Sequence, residues 1–442
     1  ISNIRGRMEY NYLPYPLDNV ISPCAYREDD STEQYDFYQA HFELGENDPY
    51  AYSRTVYESS PLNRVLAQGA PGNYWQPYDS NIASSGHTDS FYYETNTTNE
   101  VMLWQVTSSS LVCNSFYAPG ELFKNIIEDE NRDASGDGRF TTEYKDKQGK
   151  VVLKVSDDGG MALQTYYIYD DFGLLRAVLS PKYTALISTP GNHSIDPTAT
   201  SGNFYELGYY YTYDERKRMI TKKLPGADPV YMVYDRRDRL VLTQDGEQRY
   251  PKEWTYTKYD ALNRPIITGI YKDTDAQRQT LSGMQAYVNN CYANDTSYHY
   301  YEDRNTDSAT HYYTRTRSFP KYDVSSHIRV LTVNYYDDYY FLSHFPSVIN
   351  GGFDNDPGLT GFPSSAMGQV KGLLTGTKSN ILNNTTNMYV HAVHYYDNRY
   401  RLIQRQHTFM PSSLGYYGMI SSIYDFTGKV IETKETQWVC QA

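Results

Sequence analysis

Cysteine is scarce: Cys24, Cys113, Cys291 and Cys440 lie far apart in 442 residues, with no C-x-x-C pair. That spacing excludes a local zinc knuckle and a cysteine-dense disulfide scaffold. No run approaches the ~20 apolar residues needed to span a bilayer as a helix. Basic residues are also short, 40 Lys+Arg against 53 Asp+Glu, for a net charge of −13. This balance argues against non-specific nucleic-acid binding and against an anionic membrane as partner, since both select for Lys and Arg. Tryptophan (4) and phenylalanine (15) are few beside 49 tyrosines. Mean hydropathy is −0.69, but disordered chains of low hydropathy are poor in aromatics, so the composition speaks for folded β-structure. Neither an initiator methionine nor a basic-then-apolar leader opens the sequence. It therefore reads as a processed or partial chain of a longer polypeptide.

What is present is a repeat. The dipeptide Tyr-Asp occurs ten times. Three copies align directly: YTYDERKRMITKKL around Tyr213 and Asp214, MVYDRRDRLVLTQ around Tyr234 and Asp235, and TKYDALNRPIITG around Tyr259 and Asp260. The basic residues that follow are Arg218, Arg239 and Arg264. Further copies carry Tyr169, Asp170 and Gly173; Tyr396, Asp397 and Arg401; and Tyr424, Asp425 and Gly428. EYKDKQGKVVLK reads as a variant with Lys145 inserted before Asp146, and Tyr336-Asp337 as a degenerate copy. Alternating residues, then an Asp-led turn, then an apolar β-run predict a β-hairpin per unit. Asp at turn entry accepts backbone N–H bonds, and Gly, Asn or Asp three residues on tolerates positive φ. Lys217 and Tyr400 occupy that position in two copies, which predicts a different turn type there. As an exposed pair, each Asp and the basic residue across its turn would contribute only ~0–1 kcal/mol. The tyrosines read as ladders knitting neighbouring strands together; rows for ligand stacking are the alternative.

The Y-D-x-x-G-R motif resembles the RHS/YD-repeat family, which includes bacterial Rhs proteins, the C component of Tc toxins, and teneurins. The segments YLPYP, SPLNRVLAQGAPG, EYKDKQGKVVLK, VNYYDD, LLTGTK and YDFTGKVIETKE are similar to the large RHS-repeat proteins of Bacteroidetes. The resemblance implies an all-β chain: consecutive YD-repeat hairpins in a long curved or spiralling antiparallel sheet, a partial β-shell, with one or two short helices. It implies a shell that encloses or presents a toxin or effector polypeptide, extracellular or at the outer-membrane surface. Protein partners follow: the rest of the shell, its cargo, or outer-membrane proteins. In the family, a self-cleaving aspartate site and a variable tip lie C-terminal to the repeats, and no counterpart precedes Ala442.

Motif density divides the chain into an aromatic, Pro-rich module (1–130), a YD-repeat sheet (131–272), a helical insertion (273–329) and a second YD-repeat sheet (330–442) continuing beyond the chain. Ser60-Pro61 reads as a short helix start, stopped near Gly69. Leu281, Met284, Val288 and Cys291 recur with helical spacing and predict a helix from about Asp275 to Asn290, packed on the sheet or facing a partner. The loop from Asn350 to Gln369, rich in Gly, Pro and Ser, is the candidate for mobility or contact with another chain.

No catalytic motif stands out. There is no H-E-x-x-H and no G-x-S-x-G, and LTGTKS lacks the glycine a phosphate loop requires before its lysine. His391 and His394 fall on opposite faces of a predicted strand. Asn131, Asp133, Ser135 and Asp137 resemble a calcium loop, but Thr142 stands where the bidentate Glu belongs, and a solvated hairpin tip is the alternative. The expectation is a structural segment without catalysis or a cofactor. A surface binding module for glycan or protein is the alternative, which solvent-facing rings around Tyr74 and Trp75 would favour.

Overall fold

The computed structural model describes residues 8–15, 30–41, 50–82, 85–131, 139–157, 160–187, 193–321, 327–355, 357–382, 388–409 and 416–439. The chain is all-β with antiparallel strand pairing, in two compact units: residues 1–212 with 223–227, and residues 213–222 with 228–442.

In the first unit the main ladder begins with β1 (Tyr10–Tyr12), β2 (Tyr52–Tyr57), β3 (Val65–Gly69) and β4 (Asp89–Thr95). β5 (Met102–Val106) and β6 (Leu111–Phe116) leave it. The ladder resumes with β7 (Phe123–Glu128), β8 (Phe140–Lys145), β9 (Val151–Asp157), β10 (Ala162–Tyr169) and β11 (Leu175–Leu179). β12 (His193–Ile195) joins β6 and β5 in a separate three-stranded sheet, while β13 (Gly208–Tyr213) pairs with β11. Burial of Leu111, Trp104 and Cys113 from the small sheet and of Leu153, Tyr166 and Ile168 from the ladder forms one core. The Met102 N–H donates to the Tyr166 hydroxyl at 3.3 Å, tying the two sheets.

The second unit is a meander of β14 (Met219–Lys223), β15 (Val230–Tyr234), β16 (Leu240–Gln244), β17 (Glu253–Tyr259), β18 (Pro265–Lys272) and β19 (Ile328–Tyr336). It continues through β20 (Leu374–Asn380), β21 (Tyr389–Tyr396), β22 (Leu402–Thr408), β23 (Tyr416–Tyr424) and β24 (Val430–Val439). Each strand pairs with the next. Neither ladder closes on itself among the described residues. Strand alternation is clear in β17, where Trp254, Tyr256 and Lys258 point inward.

The described residues include five short helices: α1 (Asp30–His41), α2 (Pro181–Leu186), α3 (Asn203–Leu207), α4 (Gly246–Arg249) and α5 (Leu281–Asn294). The predicted insertion helix is α5, which starts at Leu281, the first residue of the apolar spacing, rather than near Asp275, and runs to Asn294. Asp275 caps a separate 3₁₀ turn over Ala276–Gln279, and Thr280 then caps α5. Met284 and Val288 bury its apolar face. Gln285 donates to the Tyr234 carbonyl and accepts from the Tyr234 N–H, so α5 is fastened to the backbone of β15.

The helix expected at Ser60 does not form. Ser60 and Pro61 sit in the turn between β2 and β3, and Val65–Gly69 is strand. Local capping signals lost to pairing of an extended segment with β2. The loop around Asn350 is docked rather than loose: Gln404 bridges the Asp354 N–H and carbonyl, Gln406 donates to the Gly352 carbonyl, and Phe353 stacks on Phe362.

Candidate functional site

The repeated Tyr–Asp turns form one recurring device. In seven copies, led by Asp146, Asp170, Asp214, Asp235, Asp260, Asp397 and Asp425, one carboxylate oxygen accepts two backbone N–H groups, from the residues two and four positions on. In each, the Asp N–H donates to the carbonyl four residues on. The residue between, Gly149, Gly173, Lys217, Asp238, Asn263, Tyr400 or Gly428, has positive φ. Lys217 (φ 62°) and Tyr400 (φ 63°) therefore make the same turn as the others, not a different type. The Asp-centred hydrogen bonds and the ladder override their side-chain strain. A left-handed non-glycine residue costs about 1–2 kcal/mol. Tyr400→Gly should therefore raise stability by about 1 kcal/mol, read as a shifted urea midpoint at constant slope.

In EYKDKQGK, Lys145 is not an insertion. It pairs with Val151 at the ladder irregularity. Tyr169, Tyr234, Tyr259, Tyr396 and Tyr424 hold the same place in their hairpins. Lys145 thus substitutes for the motif tyrosine. A copy the sequence pattern missed is Tyr57-Glu58 to Arg64. Here the turn is two residues longer, Asn63 takes φ 57°, and Glu58 replaces Asp. Its longer side chain accepts from the Arg64 N–H and side chain. Hydrogen bonds from Arg64 and Ser60 pull the Glu58 carboxyl down to about 2.

The second carboxylate oxygen of each Arg-bearing turn binds the guanidinium. Nε of Arg218, Arg239, Arg264 and Arg401 lies 2.6–2.9 Å from Asp214, Asp235, Asp260 and Asp397. The same arginines reach the following repeat. Arg218 lies 4.6 Å from the ring centre of Tyr234, Arg239 4.6 Å from Tyr259, Arg264 4.3 Å from Tyr336 and Arg401 4.8 Å from Tyr424. Those tyrosine hydroxyls donate back to the carbonyl after the arginine: Tyr234 to Met219, Tyr259 to Leu240 and Tyr424 to Leu402, at 2.7–2.8 Å. In the first unit Arg64 and Tyr93 repeat the arrangement, with the Tyr93 hydroxyl on the Val65 carbonyl. Each Arg-bearing turn is thus self-locked by its Asp and locked to its neighbour by its Arg. The tyrosine hydroxyls are used on backbone carbonyls, the geometry of a strand-knitting ladder. The pairs are not exposed: the Arg239 and Asp235 side chains are 9% and 0% accessible. Burial opposes ionisation of Asp214 and Asp397, but the guanidinium and backbone donors outweigh it and hold both carboxyls below the ordinary range.

A cavity of about 900 Å³ in the first unit is lined by Met102, Phe116, Leu163, Tyr166, Lys182 and Glu100. Burial acts against charge on Glu100, but Thr97 N–H, Tyr144 hydroxyl and Lys124 hydrogen bonds bring its pKa from 4.5 to about 2. A depressed carboxyl stabilises the fold above its unfolded pKa, and that contribution is lost as pH falls through the folded value. Stability should therefore decline between pH 4.5 and about 2, and Glu100→Gln should flatten that limb in pH-dependent urea titrations.

Of the calcium-loop residues, Asp133, Ser135 and Asp137 lie outside the described residues; the Asn131 N–H donates to Asp129. No group of three His, Cys, Asp or Glu poised for a metal occurs among the described residues. His391 and His394 sit three apart on β21, with Nδ1 of each buried and unpartnered. Around Tyr74 the rings are solvent-facing. Tyr74 (45% accessible) stacks on His87 at 3.8 Å, Trp75 (38%) meets Tyr74 edge-on at 5.6 Å, and Tyr78 is 81% accessible.

Residues 4–88 match a family model described as a domain of unknown function (DUF6443). No curated protein matches the chain. Among solved structures, a TcdB2-TccC3-TEV crystal structure aligns with 87% of this chain and 16% of its own, at 11% identity and a TM-score of 0.36. A TcdB2-TccC3 structure without the hypervariable C-terminal region aligns with 88% and 16%, at 13% identity and TM-score 0.33. A Photorhabdus luminescens Tc holotoxin pore aligns with 87% and 20%, at 14% identity and TM-score 0.28. The chain thus spans about a fifth or less of the solved chains it aligns with.

Proposed function

We propose that this chain is a structural segment of an RHS/YD-repeat shell, exported to the cell surface or beyond, that encloses or presents another polypeptide and performs no catalysis itself. The observation that carries this reading is the interlocked turn row. Asp, Arg and Tyr, three side chains with catalytic potential, are consumed repeat after repeat in holding one hairpin to the next. Such a wall acts sterically, through rigidity rather than turnover. The resemblance of the motif to Rhs proteins and Tc-toxin C components points the same way, as does the net charge of −13, which is unsuited to nucleic acid.

The test is native purification followed by limited proteolysis and peptide mapping. The reading expects an accompanying polypeptide, continuous with this chain or separate, that resists protease until the wall is unfolded. A lone species near 51.0 kDa with nothing protected would contradict it.

The exposed rings of Tyr74, Trp75 and Tyr78 favour a second reading, a surface module that stacks on a glycan or a protein. Glycan-array binding abolished by Trp75→Ala would favour this reading; an array without signal would dispose of it for glycans.

A further inference from the structure

One face of the second unit gathers basic and amide groups without a paired counter-charge among the described residues. Lys378 on β20 pairs in register with His391 on β21, so their side chains share a face. Asn380, two residues on, shares it and pairs with Tyr389. Onto this face the segment after the 3₁₀ turn Ser308–Thr310 brings His311, whose Nδ1 lies 3.2 Å from Lys378 Nζ. An ammonium only donates, so Nδ1 accepts and the imidazole proton sits on Nε2. The Tyr389 ring closes one side, 4.4 Å from Lys378 Nζ and 5.7 Å from the His311 ring. Phe345 packs on His391 at 4.7 Å.

Three observations mark the cluster as built for something more than packing. His391 Nδ1 and Asn380 Nδ2 are buried without a hydrogen-bond partner. His311 (φ 59°) and Tyr312 (φ 65°) are consecutive left-handed residues, a conformation a bulky ring adopts only under constraint. Finally, no carboxylate pairs with Lys378 among the described residues. Asp307, the acid before this segment, is occupied capping Ala309 N–H.

We propose that Lys378, His311, His391 and Asn380 form a binding site for a small oxyanion, a phosphate or carboxylate group. Lys378 supplies the fixed charge, the two imidazoles supply N–H donors that protonation strengthens, and the Asn380 amide supplies a neutral one. Arg315 adds long-range positive potential. The site's electrostatics agree. Burial, then the Lys378 and Arg315 charges, press His311 down to about 3, and burial with Lys378 presses His391 down to about 4. Burial and Arg315 also lower Lys378. A bound anion relieves each of these.

The probes are inorganic phosphate and acetate, each titrated into the full ¹⁵N-histidine-labelled chain, with chloride at matched ionic strength as reference. Saturable shifts of the His311 and His391 ring nitrogens toward the protonated form are expected. Saturation by phosphate alone assigns a phosphate site; saturation by acetate as well extends it to carboxylates. Lys378→Met should weaken binding by about tenfold or more. Asn380→Ala, which leaves every charge in place, should weaken it less and keeps the test alive if the lysine variant fails to fold. Histidine resonances that follow phosphate and acetate no further than chloride, or a Lys378→Met chain that binds as tightly as the parent, would overturn the proposal.

Discussion

Glu302→Ala is expected to lower the stability of the second unit by about 3–5 kcal/mol, the cost of leaving a buried charge unpaired. Lys258 and Glu302 meet at 2.6 Å with side chains 1% and 0% accessible. The ammonium also donates to the carbonyls of Arg315 and Ser318. The carboxylate also accepts from Thr314 hydroxyl, Arg317 N–H, Ser318 N–H and Ser318 hydroxyl. Removing Glu302 leaves the lysine's buried charge unbalanced and takes the acceptor from four further donors. Removing Lys258 leaves the carboxylate with those four donors still in place. Lys258→Met should therefore cost less, near the lower end of that range. The pair pins the 295–321 segment onto β17, so both variants should expose that segment to protease before the ladder melts. Losses below about 1 kcal/mol would show the pair to be unimportant to the fold, and equal losses in the two variants would contradict the part assigned to the four donors.

Arg264→Ala is the second large effect, about 2–4 kcal/mol from two charge-assisted contacts and a ring face lost together. Nε binds Asp260 at 2.6 Å, while the two terminal nitrogens fork onto Asp337 at 2.9 and 2.6 Å. Asp337 also accepts the Gly372 N–H at 2.7 Å. One guanidinium thus closes both ends of the longest interval in the repeat, from Tyr259 to Tyr336. Arg264→Lys should recover less than half of the loss, because an ammonium cannot present the planar fork that two carboxylates share. Urea unfolding of the three chains ranks them directly.

The hairpins were legible because their determinants are local. Asp-led turns, positive-φ positions and alternating strands lie within a dozen residues, and those features place β13–β18 and β21–β24 in the sequence. The clamps were not legible. Reading Arg239 against Asp235 alone gives an exposed pair of ~0–1 kcal/mol; the ring of Tyr259 that covers it comes from the next repeat. Glu58 was missed because a longer turn exchanges Asp for Glu, a change no fixed spacing anticipates. Lys258 did carry a signal. It shares parity with Trp254 and Tyr256, and a lysine on an apolar face calls for a buried partner. Nothing in the sequence pointed to Glu302, 44 residues away. The helix wrongly expected at Ser60 shows the reverse failure, a local capping signal overruled by strand pairing.

The claim at the centre of this account is that each arginine couples its own turn to the next repeat. The direct measurement is a double-mutant cycle on Arg239 and Tyr259, using Arg239→Met, Tyr259→Leu and the double variant in urea unfolding. Arg239 lies 4.6 Å from the Tyr259 ring and is nearly inaccessible. A coupling energy of about 1–2 kcal/mol is predicted for a desolvated cation–π contact. Losses that add to within about 0.3–0.5 kcal/mol would mean the repeats are independent hairpins and would contradict the account.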